Sequence, residues 1–451
     1  MGGFVSPTPE SEHLQHATRE AACIPGLPAT QALRPIQRVG VVGAGTMGGG
    51  IAMNFANAGM PTVILETSPE ALARGLGLIR RNYEATAAKG RITASQVQER
   101  MALLTGTLDS TLLAGCDLVI EAVFENMDVK LKVLAMLGRL VKPGAIIATN
   151  TSTLDVNALA QATGRPADVL GMHFFSPANV MKLLEVVRGA ATAPDVLATV
   201  MALAGKIGKV AVVSGVCYGF IGNRMLEPYL READYLLMEG ASPGQIDRAI
   251  EAQGLAMGPC RMLDMTGTDV AASVVLEGVK SGALPKDPTY RAPVRALAER
   301  GRKGQKSDSG YYRYEGRTPV PDDEVTQLLA ELAAQHGITQ RTDISDEEIV
   351  ERCLYTLVNE AAAILEEGMA YRPGDIDVVW VNGYGFPAQR GGPVWMADVI
   401  GLAHIVSALQ RNGAQRGNAH GYWSVSPLLA RTSASGHRLS QAQAGSMPLA
   451  A

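Results

Sequence analysis

Cysteine is scarce and scattered. Cys23, Cys116, Cys217, Cys260 and Cys353 form no C-x-x-C pair in 451 residues, so neither a disulfide framework nor a zinc or other metal site is indicated. Surplus positive charge is also missing: Lys+Arg 40 stand against Asp+Glu 44, a formal net charge of −4. Phosphate-backbone binding depends on a basic excess, and no nucleic-acid partner is expected. No window approaches the roughly 18 consecutive apolar residues of a membrane span, and no membrane partner is expected. Glu10, Glu12 and Glu20 stand where a secretory signal needs a basic start and an apolar stretch, and the chain does not end in S-K-L. The expected setting is reducing and cytoplasmic.

Against these absences, 47% hydrophobic and 19% charged residues describe a globular chain, and its length allows two to four domains at roughly 100–200 residues each. Residues 1–37 are polar and Pro/Ala-rich with one helical candidate around Glu12–Ala22, and read as a tail or linker. From Arg38, short β-branched runs ("RVGVV", "TVILE", "CDLVIEAV", "AIIATN", "VLGMHFF") alternate with helical periodicity. That alternation predicts an α/β, Rossmann-like doubly wound domain with a parallel sheet over 38–214. Beyond Gly215 helical periodicity takes over, predicting an all-α C-terminal half.

This half repeats itself. Helices opening at Arg224-Met-Leu and Arg352-Cys-Leu run to Glu239-Gly240 and Glu367-Gly368; "PGQID" (Pro243–Asp247) answers "PGDID" (Pro373–Asp377), and Gly258-Pro259 answers Gly392-Pro393. Two repeated helical units are expected, at 215–320 and 321–410. The Gly-, Ala-, Ser- and Gln-rich stretch 411–451 lacks periodicity and is expected to be a disordered tail.

Gly43-Ala-Gly45-Thr46-Met47-Gly48 follows a strand and opens a helix, and Glu66 closes the next strand 21 residues after Gly45. In this context the G-x-G-x-x-G form has a mechanical reading. Gly43 allows the tight turn, Gly45 lets backbone approach a pyrophosphate at the helix N-terminus, and Gly48 lets helix and strand pack closely. Glu66 accepts hydrogen bonds from ribose hydroxyls and repels a 2′-phosphate, favouring NAD over NADP; FAD fits the same glycines.

Of seven histidines only His173 sits at the end of an apolar run in this half, near the carboxyl edge of the sheet where such folds bind ligands. Twelve residues on, Glu185 lies inside the apolar run "LLEVV". A buried carboxylate needs a partner, and the pair reads as a general base with its orienting acid. A His satisfied by a backbone carbonyl and a Glu paired with Arg188 account for the same residues structurally.

The runs "VGVVGAGTMGGGIA", "DLVIEAVFENMDVKLKVL", "IIATNTSTL", "GMHFFSPANVMKLLEVVRG", "GFIGNRMLEPYLREADYLLMEG", "MGPCRMLDMTGTDV" and "RKGQKSDSGYYRY" resemble the L-3-hydroxyacyl-CoA dehydrogenases of fatty-acid β-oxidation. The likeness is greatest to the dehydrogenase portion of peroxisomal-type multifunctional enzymes, with their duplicated helical half, and runs from about Gly26 to Leu409. It implies NAD-dependent, reversible oxidation of (S)-3-hydroxyacyl-CoA to 3-ketoacyl-CoA. By the same resemblance His173 is the general base, Glu185 its partner, and Ser152 and Asn223 hold the substrate oxygens. Ala122, Val123, Glu125, Lys130, Asn150, Ser152 and Lys306 fall on cofactor-contact positions beside Gly43, Gly45, Thr46, Met47, Gly48 and Glu66. Asn82 and Lys89 match the CoA-binding positions by spacing alone, and a solvated helix face is the simpler account of Lys89.

Two departures qualify the likeness. Ser176 stands where many single-function members have Asn after "HFF". No enoyl-CoA hydratase domain fits before Arg38, so a stand-alone dehydrogenase is expected. The alternatives are a short-chain 3-hydroxybutyryl-CoA dehydrogenase and a non-catalytic NAD-binding protein of the same fold. A monomer is expected, since a second helical copy takes the place of a partner, with a homodimer as the alternative.

Overall fold

The computed structural model describes residues 8–28 and 30–447. They fall into two compact units, one built from Glu12–Asn223, Glu367–Tyr384 and the residues from Gln443 on, the other from residues 8–11, Arg224–Glu366 and Gly385–Ala442.

The first unit carries β1 (Val39–Val42), β2 (Thr62–Leu65), β3 (Leu104–Thr107), β4 (Leu118–Glu121), β5 (Ile146–Thr149), β6 (Val169–Phe174), β7 (Leu183–Val187) and β8 (Val210–Ser214). They form one sheet in the order β3-β2-β1-β4-β5-β6-β7-β8. Strand order reverses between β1 and β4, which places the crevice of a doubly wound sheet at their carboxyl ends. Successive residues face opposite layers. Val41, Ile120 and Ala148 pack with Ile51 and Phe55 of helix Thr46–Asn57; Val42, Val119 and Ile147 pack with Leu134 and Leu137 of helix Met127–Leu140.

The sheet departs from the expected parallel arrangement at one place: β6 and β7 are antiparallel. The link between them, 175–182, is too short for a parallel crossover, which takes roughly a dozen residues or more.

The second unit is helical apart from one two-stranded hairpin, Arg313–Glu315 with Thr318–Val320. The repeat is visible in its joints. Gly267 (φ 104°) links helices Pro259–Thr266 and Thr268–Ser281, and Gly401 (φ 98°) links Pro393–Ile400 and Leu402–Arg416. Asp264 accepts the backbone N–H groups of Tyr311 and Tyr312 (2.8 and 3.1 Å), and Asp398, its counterpart, accepts those of Leu439 and Ser440 (2.6 and 3.0 Å).

That correspondence corrects the disordered tail expected at 411–451. Helix Pro427–Ala434 and a turn at Leu439–Gln441 are formed, with Leu429 and Leu439 buried, because this stretch completes the second copy as Tyr311–Tyr312 complete the first. Its last four residues lie outside the described ones. The described part of 1–37 is likewise more than a linker. Helix Pro9–Ala21 buries Ala17 and Ala21; His13 Nε2 meets Asp377 Oδ2 at 2.8 Å, and Arg372 donates to the carbonyls of Glu20 and Cys23. Nor is 321–410 a domain of its own. Helix Pro373–Gly383 packs on β7 and β8 in the first unit, where Gly215 donates to the Met369 carbonyl at 2.8 Å.

Candidate active site

The glycine loop sits at the sheet's switch point, and its three glycines have separate reasons. Gly43 adopts φ 104°, and a Cβ there would lie 2.7 Å from the Ala122 carbonyl oxygen. A Cβ on Gly48 would overlap the Gly43 carbonyl. At Gly45 nothing lies within 4 Å, so its small size serves something outside the fold. Gly45 caps helix Thr46–Asn57 with no side-chain hydrogen bond, leaving the first amides of the helix available to an anion. Thr46 is exposed and Met47 half-buried at this end.

Glu66 stands just beyond β2, its Oε2 accepting the Ala44 N–H at 2.9 Å. Burial pushes its carboxyl up, but hydrogen bonds from Ala44 and Thr67 outweigh that and hold it below the usual range. It is an anionic acceptor beside the phosphate loop, and the cradle fits a dinucleotide lacking a 2′-phosphate.

From the end of β4 onward comes a second carboxylate system. Glu121, fully buried, takes the Lys130 ammonium (2.7 Å), the Thr149 hydroxyl (2.7 Å) and the Val123 N–H (2.8 Å). Lys130 also reaches Glu125 at 3.4 Å. Glu125 in turn collects the N–H groups of Ser152 and Thr153 and the hydroxyls of Thr151 and Ser152. Burial pushes Glu125 up, yet Lys130 and these hydrogen bonds prevail and keep it ionised. Lys130 is thus a buried brace with its donors committed to the protein. Because a carboxylate only accepts, the Ser152 hydroxyl donates to Glu125 and retains only acceptor capacity. Asn150 is held nearby, its Oδ1 accepting the Phe174 N–H at 2.9 Å.

His173 and Glu185 are register partners across the antiparallel β6–β7 pair. Directly opposed residues project to the same face, which explains how two groups 12 residues apart meet. Nδ1 lies 2.7 Å from Oε2 of Glu185. Oε1 accepts the backbone N–H groups of Ile221 (3.1 Å) and Gly222 (2.9 Å). These amides follow Phe220, a non-glycine residue at φ 53°, a conformation that side chains adopt at a cost. The Glu185 carboxylate accepts, so Nδ1 holds the ring proton and Nε2 is left basic. Phe175 and Phe220 flank the imidazole, with ring centroids at 4.4 and 5.7 Å. Asn223, at the start of helix Gly222–Met238, has its amide oxygen bound by the Tyr384 hydroxyl at 2.8 Å.

Other predicted residues lie outside these clusters. The Asn82 side-chain amide meets Met53 Sδ at 3.9 Å, and Lys89 is exposed at the end of helix Pro69–Ala88. Ser176 is exposed in the β6–β7 link. Lys306 belongs to the helical unit, its ammonium 2.6 Å from Asp269.

Residues 38–217 match the family described as 3-hydroxyacyl-CoA dehydrogenase, NAD binding domain, and residues 219–314 and 349–445 match the 3-hydroxyacyl-CoA dehydrogenase C-terminal domain. The (S)-3-hydroxybutyryl-CoA dehydrogenase PaaH1 of Ralstonia eutropha is 34% identical and matched over 100% of its length and 62% of this chain (TM-score 0.58). The chain belongs to the 3-hydroxyacyl-CoA dehydrogenase family. A 3-hydroxybutyryl-CoA dehydrogenase from Escherichia coli K12 covers 89% of the chain and 100% of its own (27% identity, TM-score 0.77). The peroxisomal bifunctional enzyme of Cavia porcellus is 43% identical over 85% of this chain and 54% of its own length, so the chain spans about half of that relative. The sheet unit therefore carries the family's NAD-binding domain, and the C-terminal domain matches over both helical copies.

Two residues of this site escaped the sequence reading. Glu121 was open to discovery as an acid ending an apolar strand. Tyr384 carries no local signal.

Proposed function

We propose that the protein catalyses NAD-dependent, reversible oxidation of (S)-3-hydroxyacyl-CoA to 3-ketoacyl-CoA in fatty-acid β-oxidation. The carrying observation is the His173–Glu185 pair, whose carboxylate is pinned by the Ile221 and Gly222 amides. Bound NAD supplies the acceptor for the hydride that leaves C3 of the substrate. His173 Nε2 takes the proton of the 3-hydroxyl, and Glu185 stabilises the resulting imidazolium through Nδ1–H. Asn223 donates to the substrate oxygen as charge develops on it, while the Ser152 hydroxyl stays committed to Glu125. Glu66 and the glycine loop bind and orient the dinucleotide.

Two of the solved relatives are named as 3-hydroxybutyryl-CoA dehydrogenases, which favours a short-chain preference as the second reading. A series of 3-ketoacyl-CoA substrates from C4 to C16, with NADH and with NADPH, tests both. NADH oxidation across the series supports the first reading, and activity confined to C4 supports the second. Tight NADH binding with no turnover of any substrate overturns both in favour of a binding protein. Replacing His173 with Gln is expected to lower kcat by roughly 10²–10⁴-fold with NADH binding retained; unchanged turnover rejects the mechanism.

A further inference from the structure

We infer that Tyr384, supplied by the second helical copy, is a positioning residue that fixes the Asn223 amide so that its NH2 group is the donor offered to the substrate oxygen. The inference rests on the proposed reaction, in which Asn223 meets the substrate. Tyr384 follows helix Pro373–Gly383 and its hydroxyl lies 2.8 Å from Asn223 Oδ1. This is the phenol's one hydrogen bond among the described residues. An amide turned the other way would offer NH2 to the hydroxyl and strand the phenol proton without an acceptor. Burial, reinforced by the Glu185 charge, pushes the phenol well above its ordinary pKa, so it stays a donor at neutral pH.

The ring is held on three sides. It stacks on Trp380 (centroids 4.6 Å), meets Phe175 edge-on (5.5 Å), and passes so near Gly222 that a Cβ there would overlap it. The glycine beside Asn223 therefore answers to the tyrosine's need for room. The Ser152 hydroxyl does not compete as a donor to that oxygen, since it already donates to Glu125. Charge developing on a substrate oxygen is stabilised by donors aimed at it in advance, and the Asn223 NH2, which has no acceptor among the described residues, is such a group.

A double-mutant cycle tests this, using Tyr384→Phe, Asn223→Ala and the pair. Tyr384→Phe keeps the ring and removes only the hydroxyl. With acetoacetyl-CoA and NADH it is expected to lower kcat by roughly 10-fold, with the KM for NADH unchanged. In the Asn223→Ala background the same change is expected to have no further effect. Acetoacetyl-CoA binding to the NAD-free protein, followed by calorimetry, is expected to weaken in both single variants and no further in the pair. Equal losses in both backgrounds, an unaltered kcat in Tyr384→Phe, or a loss matched by a fall in unfolding midpoint overturns the inference. An inactive wild-type protein overturns the proposed reaction itself, and the inference with it.

Discussion

Gly222 donates its backbone N–H to Oε1 of Glu185 at 2.9 Å, so the carboxylate that orients His173 is pinned from the start of helix Gly222–Met238. Replacing Glu185 with Gln exposes what this arrangement does. The amide oxygen must stay with the Ile221 and Gly222 donors, because an NH2 there would face two N–H groups. The NH2 is then forced toward Nδ1, which drives the ring proton to Nε2 and removes the base. A fall in kcat of about 10²–10⁴-fold is expected, with NADH affinity and fold retained. Acetoacetyl-CoA-dependent NADH oxidation measures it, and a kcat within tenfold of wild type contradicts the assignment.

Most of this site was legible because its parts are local. Gly43, Gly45, Gly48 and Glu66 lie within one strand–helix–strand unit, and His173 and Glu185 within one short-linked strand pair. What was not legible is long-range. Tyr384 reaches Asn223 from 161 residues away, and no periodicity announces such a contact. The antiparallel turn of β7 could have been read from its short link, yet an apolar run reads alike in either direction. The stretch after Arg411 looked disordered because its order depends on Asp398 and on helix packing, which composition does not reveal.

Glu66 is expected to govern the choice between NADH and NADPH. Its carboxyl is held below the usual range by the Ala44 and Thr67 hydrogen bonds. Discrimination against a 2′-phosphate is therefore expected to persist as pH falls through the ordinary carboxylate range and to fade only below it. Glu66→Gln keeps an acceptor for Ala44 but loses the charge. It is expected to raise the NADPH/NADH ratio of kcat/KM by about tenfold, a step of about 1.4 kcal/mol. Paired kinetics with the two cofactors check this, and an unchanged ratio assigns the selectivity elsewhere.

The buried Lys130–Glu121 pair makes a stability prediction. Both side chains are almost completely inaccessible, and the Glu121 carboxylate would be left uncompensated without the ammonium. Lys130→Met is expected to cost about 3–5 kcal/mol in denaturant unfolding. Adding Glu121→Gln, which removes the stranded charge and keeps hydrogen-bonding capacity toward Thr149 and Val123, is expected to restore a large part of it. If the double variant is no more stable than Lys130→Met alone, the uncompensated charge is not the source of the loss.

Two glycines of the same loop should fail in opposite ways. Gly45 has φ −67° and ψ −172°, a conformation open to alanine, and a Cβ there meets no protein atom within 4 Å. Gly45→Ala is therefore expected to leave the unfolding midpoint unchanged while weakening NADH binding by roughly tenfold or more, because the methyl group occupies the approach of the pyrophosphate. At Gly48 the added Cβ meets the Gly43 carbonyl, a backbone atom that no rotamer change can move aside. Gly48→Ala is expected to cost about 3 kcal/mol of stability before any ligand is present. Thermal unfolding and NADH fluorescence titration on both variants separate the roles. A Gly45→Ala protein that binds NADH like wild type would show that the open face of the loop is not where the dinucleotide lies.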